Sequence, residues 1–157
     1  GYWLNKKPYL IPRDGKKLDT STYVSLENVL LNLSKLSVLE NINSITFFLD
    51  VKYINFEESI ENYKYPELSK KLCLLASSSS KETSNEIDDM KHSVFSYFLM
   101  KGLKGDAYGD DKILEIGELA EYLYRKIPDY TKNLENGVLQ NPEFIGSDLK
   151  RVLIDLR

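Results

Sequence analysis

The residues of this sequence best suited to chemistry are Asp50 and Lys52, which follow a short apolar run from Ile45 to Leu49. The run is β-branched and aromatic without alternation, a pattern that predicts a strand buried on both faces. Such strands are typical of parallel sheets in α/β proteins, where ligands bind just beyond the carboxyl ends of the strands. We therefore expect a functional site at Asp50 and Lys52.

A second pair of polar residues, Ser77 and Ser78, follows another apolar run from Leu72 to Ala76. Residues 54–68, between the two runs, are mixed in character and allow a short helix that ends before Pro66. Two buried strands joined through a helix form a βαβ crossover, in which the strands are parallel. The sequence thus predicts an α/β fold, a three-layer sandwich whose mainly parallel sheet is flanked by helices.

Three amphipathic patterns predict the flanking helices. They run from Leu26 to Leu36 after the candidate N-cap Ser25, from His92 to Lys104 before Gly105, and from Glu115 to Lys126 before Pro128. Residues 1–18 are interpreted as a loop with one short extended piece around Tyr9–Ile11.

Length and composition limit the class of protein. The 157 residues are enough for one domain with a single core. The net charge of -3 gives no general attraction to nucleic acid, and no apolar run approaches the ~20 residues of a membrane span. The single cysteine excludes an internal disulfide framework and a cysteine-based zinc site. We therefore expect no nucleic acid, membrane or cofactor partner, and a reducing, cytoplasmic location.

Three further features are weaker candidates for a site. Cys73 lies inside an apolar strand, where a thiol is usually an inert core residue. His92 is the only histidine and stands at a helix start, so it does not form a metal site. Residues 106–118 faintly resemble a calcium loop, but Asp111 replaces its glycine and Gly117 its final glutamate. We expect no metal.

Several short segments are more informative together than singly. They are Pro8–Asp14 (PYLIPRD), Phe47–Lys52 (FFLDVK), Leu74–Ser78 (LLASS), Ser93–Ala107 (SVFSYFLMKGLKGDA), Glu118–Leu123 (ELAEYL) and Gln140–Pro142 (QNP). In this order they resemble the caspase-like cysteine peptidases of clan CD, the peptidase C14 group of bacterial caspase-like proteins and metacaspases. Ser93–Ala107, which is similar to the family's "gvFTyyLl.GLkG.A" helix, is the most specific segment.

The resemblance places Lys52 at the position of the family's catalytic cysteine. A cysteine thiolate is a good nucleophile at neutral pH, whereas an ordinary lysine is protonated there and attacks poorly. The family's histidine belongs to a Ser-Gly-His-Gly motif ahead of the Tyr-Leu-Ile-Pro segment, and this sequence does not contain it. We expect residues 1–157 to be a single caspase-like domain without its first strands. A second chain or a preceding segment would complete the sheet, because its apolar edge would otherwise be exposed.

The same resemblance suggests substrate-binding residues. Asp50 matches the family aspartate that, in metacaspase-like members, lines the pocket for a basic P1 side chain. The alternative is a strand-end carboxylate paired with Lys52 or with a backbone amide. Ser77 and Ser78 match residues that border the family's substrate cleft, and the alternative for them is a solvated loop.

These observations favour a degenerate caspase-like domain, a pseudo-peptidase that binds or regulates a protein or peptide. The alternative is part of a clan CD cysteine endopeptidase with a Cys-His dyad, whose cysteine is replaced here by Lys52. A third hypothesis is an unrelated α/β domain that binds a small molecule. Its weakness is that no glycine-rich phosphate loop follows either strand.

Overall fold

The structure is a computed structural model that describes residues 1–16, 19–38, 41–52, 66–79, 82, 84–87, 92–134 and 138–157. The strands are β1 (Tyr2–Leu4), β2 (Lys7–Leu10), β3 (Val24–Ser25), β4 (Ile45–Leu49), β5 (Leu72–Ala76), β6 (Glu86–Ile87), β7 (His92–Ser93), β8 (Ile113–Glu115), β9 (Glu143–Ile145) and β10 (Val152–Asp155). The helices are α1 (Leu26–Ser37), α2 (Val94–Lys101) and α3 (Ile116–Thr131). The helix predicted within residues 54–68 falls almost wholly outside the described residues. Among the described residues, no helix is long and apolar enough to cross a membrane.

The two apolar runs form the central pair of strands. β4 and β5 are parallel, with Ile45 opposite Leu72 and Leu49 opposite Ala76, as the sequence predicts. β9 then joins the other side of β5 in the antiparallel direction. The remaining described pairs, β1–β2, β2–β3, β6–β7 and β8–β10, are all antiparallel.

The chain is therefore a mixed α/β protein, and the prediction of a mainly parallel sheet is not confirmed. The physical reason is that a continuous apolar run reports burial of both faces of a strand, but not the direction of its neighbours. β9 returns antiparallel after α3, and its three residues are only partly buried. Its sequence shows neither the length nor the apolar run that predicted β4 and β5.

Side chains of β5 alternate between two hydrophobic cores. Leu74 and Ala76 pack with Leu26 and Leu30 of α1, whereas Cys73 and Leu75 pack with apolar residues of α2 and α3. All five residues of β5 are buried. Full burial of one leucine contributes about 1.5–3 kcal/mol, so Leu74 and Leu75 of β5 stabilise the two cores on opposite faces of the strand.

The first residues form a hairpin rather than the predicted loop with one extended piece. β1 and β2 pair antiparallel, and the turn residues Asn5 and Lys6 have φ of 50° and 62°. Two successive positive φ values are typical of the type I′ turn, which matches the twist of a hairpin. The hairpin carries Trp3, which is only 2% exposed, into the core beside α1.

The first helix begins where the sequence predicts it. The hydroxyl of Ser25 accepts a hydrogen bond from the N–H of Asn28, as an N-cap residue does. The second helix begins two residues later than predicted, because His92 and Ser93 belong to β7 and Ser93 is the N-cap.

The ends of α2 and α3 also differ from expectation. α2 ends at Lys101 and continues as a π-helical turn over Gly102–Asp106. Gly105 has a φ of 134° in that turn, a conformation that strains any residue with a Cβ. α3 continues past Pro128 to Thr131 despite the one intrahelical hydrogen bond that proline cannot make, because its ring fixes φ near ~-65°, a helical value.

Candidate functional site

The carboxyl ends of β4 and β5 lie side by side because the strands are parallel and in register. Beyond the last pair, the N–H of Ser77 donates to the carbonyl of Leu49 over 2.8 Å. The hydroxyl of Ser77 accepts from the N–H of Val51 over 3.3 Å. Ser77 therefore fixes the backbone that leads into Lys52. Its side chain is buried rather than presented to a ligand.

Asp50 is held by three serine hydroxyls. Ser84 donates to Oδ1 over 3.2 Å, whereas Ser93 and Ser96 both donate to Oδ2. Ser93 also accepts from the N–H of Ser96, and so caps the first turn of α2. The carboxylate thus joins the end of β4 to the N-terminus of α2, where a negative charge is favourable.

This arrangement was not predicted for Asp50. The sequence left open a pocket for a basic side chain or a pairing with Lys52 or a backbone amide, and the described contacts of the carboxylate are instead all with serine hydroxyls. Sequence reasoning missed Ser84, Ser93 and Ser96. The N-cap spacing of Ser93 before the apolar stretch of α2 was the only available signal.

Lys52 is exposed immediately beyond β4. Its carbonyl accepts a hydrogen bond of 2.7 Å from the amino group of Gly1, which brings the start of the hairpin to this edge. Among the described ion pairs, none involves the Lys52 ammonium. A cation is therefore presented to solvent at the position that the resemblance assigns to a nucleophile.

The loop after β5 closes against the residues before β9. Ser78 is buried, and its hydroxyl donates to the carbonyl of Glu82 over 3.3 Å. The Glu82 carboxylate accepts from both the backbone N–H and the side-chain amide of Asn141, each over 2.6 Å. Ser79 donates its N–H to the carbonyl of Asn141 over 2.9 Å. The hydroxyl of Ser78 therefore holds the backbone of Glu82 close to the end of β5.

The remaining sequence candidates lie elsewhere. Cys73 is 1% exposed in the interior of β5, and its Sγ lies 3.0 Å from Nη1 of the buried Arg151. His92 is exposed on β7. Asp111 accepts from the N–H of Ile113 in the turn before β8. In the part of the chain that the structure describes, no group of three or more histidine, cysteine or acidic side chains is arranged to hold a metal ion.

A cavity of about 450 Å³ lies at the other end of α2, between the π-helical turn and α3. Tyr122 lines it and donates to the carboxylate of Asp106 over 3.3 Å. Burial first, and then the negative charge of Asp106, raise the pKa of Tyr122 to about 12. This cavity is separate from the strand ends that hold Asp50 and Lys52.

The raised pKa of Tyr122 predicts a loss of stability in alkali. The folded protein keeps the phenolic proton more tightly than the unfolded chain, whose tyrosines titrate near pH ~10. The stabilisation is fully present below pH ~10 and is lost as the pH rises through about 12. Urea unfolding at a series of pH values should therefore show a shallower alkaline decline for Tyr122→Phe. Tyr108→Phe, which also loses one hydroxyl bond, is the matched control, and equal declines for the two variants would contradict the assignment.

No protein-family model and no curated protein matches this chain. The resemblance to caspase-like peptidases therefore rests on the sequence segments alone.

Proposed function

We propose that this chain is a degenerate caspase-like domain, a pseudo-peptidase that acts by binding a protein or peptide. The observation that carries the proposal is the exposed Lys52 beyond the carboxyl end of β4, which pairs in parallel with the buried β5. A protonated lysine binds acidic or carbonyl groups well and attacks peptide carbonyls poorly.

The burial and hydrogen bonding of the two serines that follow β5 support binding rather than catalysis. Ser77 and Ser78 are buried, and their hydroxyls are engaged with Val51 and Glu82. A serine nucleophile needs an adjacent base, and the described contacts of both hydroxyls are with backbone groups. Cys73 lies within the core, so it does not replace the missing nucleophile.

The position of β4 supports a further strand in the complete sheet. Phe47 and Phe48 contact opposite cores, as in a central strand, yet among the described strands β4 pairs only with β5. We propose that another chain or another segment pairs with the outer edge of β4, which would give the three-layer, mainly parallel sandwich of the caspase-like fold. Main-chain pairing at such an edge is a common mode of peptide recognition.

The proposal includes a cytoplasmic location. The only cysteine is reduced and buried, which suits a compartment in which thiols stay reduced. The alternative function, part of a clan CD cysteine endopeptidase, uses the same strand ends but requires a cysteine where Lys52 stands.

The test is a measurement of peptide binding and of hydrolysis on the whole chain. Fluorescein-labelled hexapeptide pools, each with one position fixed as basic, acidic or apolar, are titrated by fluorescence anisotropy, and the same pools are checked for cleavage by mass spectrometry. We expect saturable binding of the acidic pool, no cleavage, and about tenfold weaker binding of that pool by Lys52→Glu, because the reversed charge repels an acidic peptide.

Lys104→Glu is the matched control, since it makes the same charge change at an exposed lysine beyond the far end of α2. Equal peptide binding by Lys52→Glu and Lys104→Glu would show that the surface around Lys52 is not the binding surface. Cleavage by the unaltered chain would overturn the pseudo-peptidase assignment in favour of the endopeptidase.

A further inference from the structure

Gln140 is a polar side chain with no exposed surface. Its Nε2 donates to the carbonyl of Ser77 over 2.7 Å, at the point where β5 ends. Its Oε1 accepts from the N–H of Asn85 over 2.8 Å and from the Asn85 side-chain amide over 3.2 Å. Its own N–H donates to Oγ1 of Thr131 at the end of α3 over 3.1 Å. The side-chain amide and the backbone N–H of Gln140 together bind three separate parts of the chain.

Asn85 strengthens the same connection. Its Nδ2 donates to the carbonyl of Val138 over 2.6 Å, and its Oδ1 accepts from the N–H of Val138 over 3.3 Å. The side chain of Asn85 therefore pairs with the backbone of residue 138 as a strand neighbour would. We call Gln140, Asn85, Ser77 and Val138 the Gln140 network.

The network continues directly to Asp50 at the carboxyl end of β4. Ser84, which precedes Asn85 in the chain and is 2% exposed, donates its hydroxyl to Oδ1 of Asp50. The carbonyl of Asn85 accepts from the N–H of Val94 over 3.0 Å, at the first residue of α2. Ser84 and Asn85 therefore connect Gln140 both to the Asp50 carboxylate and to the N-terminus of α2.

We infer that Gln140 is a positioning residue for Asp50 and Lys52 at the carboxyl end of β4. It positions Ser84 and the residue that follows β5 through hydrogen bonds. Residues 138–141 and the end of α3 are thereby connected to the carboxyl end of β4. The role of Gln140 in binding rests on the proposed function. Its role in positioning Ser84 can be tested without any ligand.

The test is amide hydrogen exchange of the whole chain with two substitutions at one position. Gln140→Leu removes both the donor and the acceptor. We expect the protection of the Asn85 and Val94 amides to fall about tenfold or more relative to the Leu123 amide in α3, because buried partners lose their hydrogen bonds. Unchanged relative protection would overturn the inference.

Gln140→Glu supplies a conservative rescue. A protonated glutamic acid can donate to Ser77 and accept from Asn85, whereas the buried carboxylate cannot donate and is disfavoured. We expect the exchange protection of Gln140→Glu to approach that of the unaltered chain at about pH 5 and to fall at about pH 8. Gln140→Leu should show no such recovery, and identical behaviour of the two variants would mean a purely structural role.

Two neighbouring acids require a control at each pH. Glu82 binds Asn141, and the pKa of Glu143 is raised by burial and by the charge of Glu82. Both acids are present in every variant, so the unaltered chain is measured alongside at each pH. Tyr124→Phe, which removes the hydrogen bond of 2.9 Å from the N–H of Phe144, perturbs the same segment outside the network. An equal loss of Asn85 protection in Tyr124→Phe would overturn the inference.

The peptide pools then separate this inference from the proposed function. Weaker peptide binding by Gln140→Leu, together with the loss of Asn85 protection, supports both. If no pool binds the unaltered chain while the exchange pattern holds, the proposed function fails and the positioning role of Gln140 stands.

Discussion

Replacing Trp3 with alanine should lower the free energy of unfolding by about 3–5 kcal/mol, the largest effect expected for any single side chain of the first hairpin. The indole is 2% exposed and packs with Leu26 and Leu30 of α1 and with Leu74 of β5. Its removal leaves a cavity at the junction of hairpin, helix and central strand. Urea unfolding monitored by far-ultraviolet circular dichroism measures the change.

Val24→Ala is the control for Trp3→Ala. Val24 lies in β3 of the same small sheet but is 41% exposed, so its truncation should change stability by less than about 0.5 kcal/mol. A loss below about 1 kcal/mol for Trp3→Ala would show that the hairpin packs only loosely on the domain.

Replacing Arg151 with alanine should destabilise the protein by about 2–4 kcal/mol. The side chain is 5% exposed at the amino ends of the central strands. Its Nη1 donates to the carbonyl of Ile45 over 2.8 Å, and its Nη2 donates to the carbonyl of Lys70 over 3.1 Å. The substitution removes a charged donor from both carbonyls and empties the space that the side chain filled. Thermal and urea unfolding both report the change.

Arg157→Ala is the matched control for Arg151→Ala. Arg157 forms an exposed ion pair of 2.7 Å with Asp155, and exposed pairs contribute about 0–1 kcal/mol. Similar losses for the two arginine variants would contradict the role of Arg151 as a buried connection between β4 and β5.

The central strands and helices could be predicted from the sequence because each carries a strong local signal. The unbroken apolar runs identified β4 and β5 and their parallel pairing, and the spacing of apolar residues with Ser25 as N-cap identified α1. The first hairpin could not be predicted in this way. Its turn is Asn5-Lys6 rather than Asn-Gly, and β2 contains Lys7 and Pro8, which do not favour a strand.

The site could be predicted only in outline. The rule that ligands bind beyond the carboxyl ends of parallel strands placed Asp50, Lys52 and Ser77 at one edge, and the structure brings them there. The partners of Asp50 and the burial of Gln140 depend on segments that are far apart in the sequence. A periodicity or a cap reports only neighbours within a few residues, so these contacts left no local signal.

The contacts of Arg151 and Gln140 also bear on the order in which the nascent chain folds. Arg151 bonds to Ile45 across 106 residues, and Gln140 bonds to Ser77 across 63. Contacts of such long sequence separation form late, because the intervening chain must first be ordered. While the ribosome is still synthesising the segment after α3, β4 and β5 lack both contacts, and the Asp50 edge is not yet fixed. The parallel pair of strands therefore gains the hydrogen bonds of Arg151 only after this residue has left the ribosome.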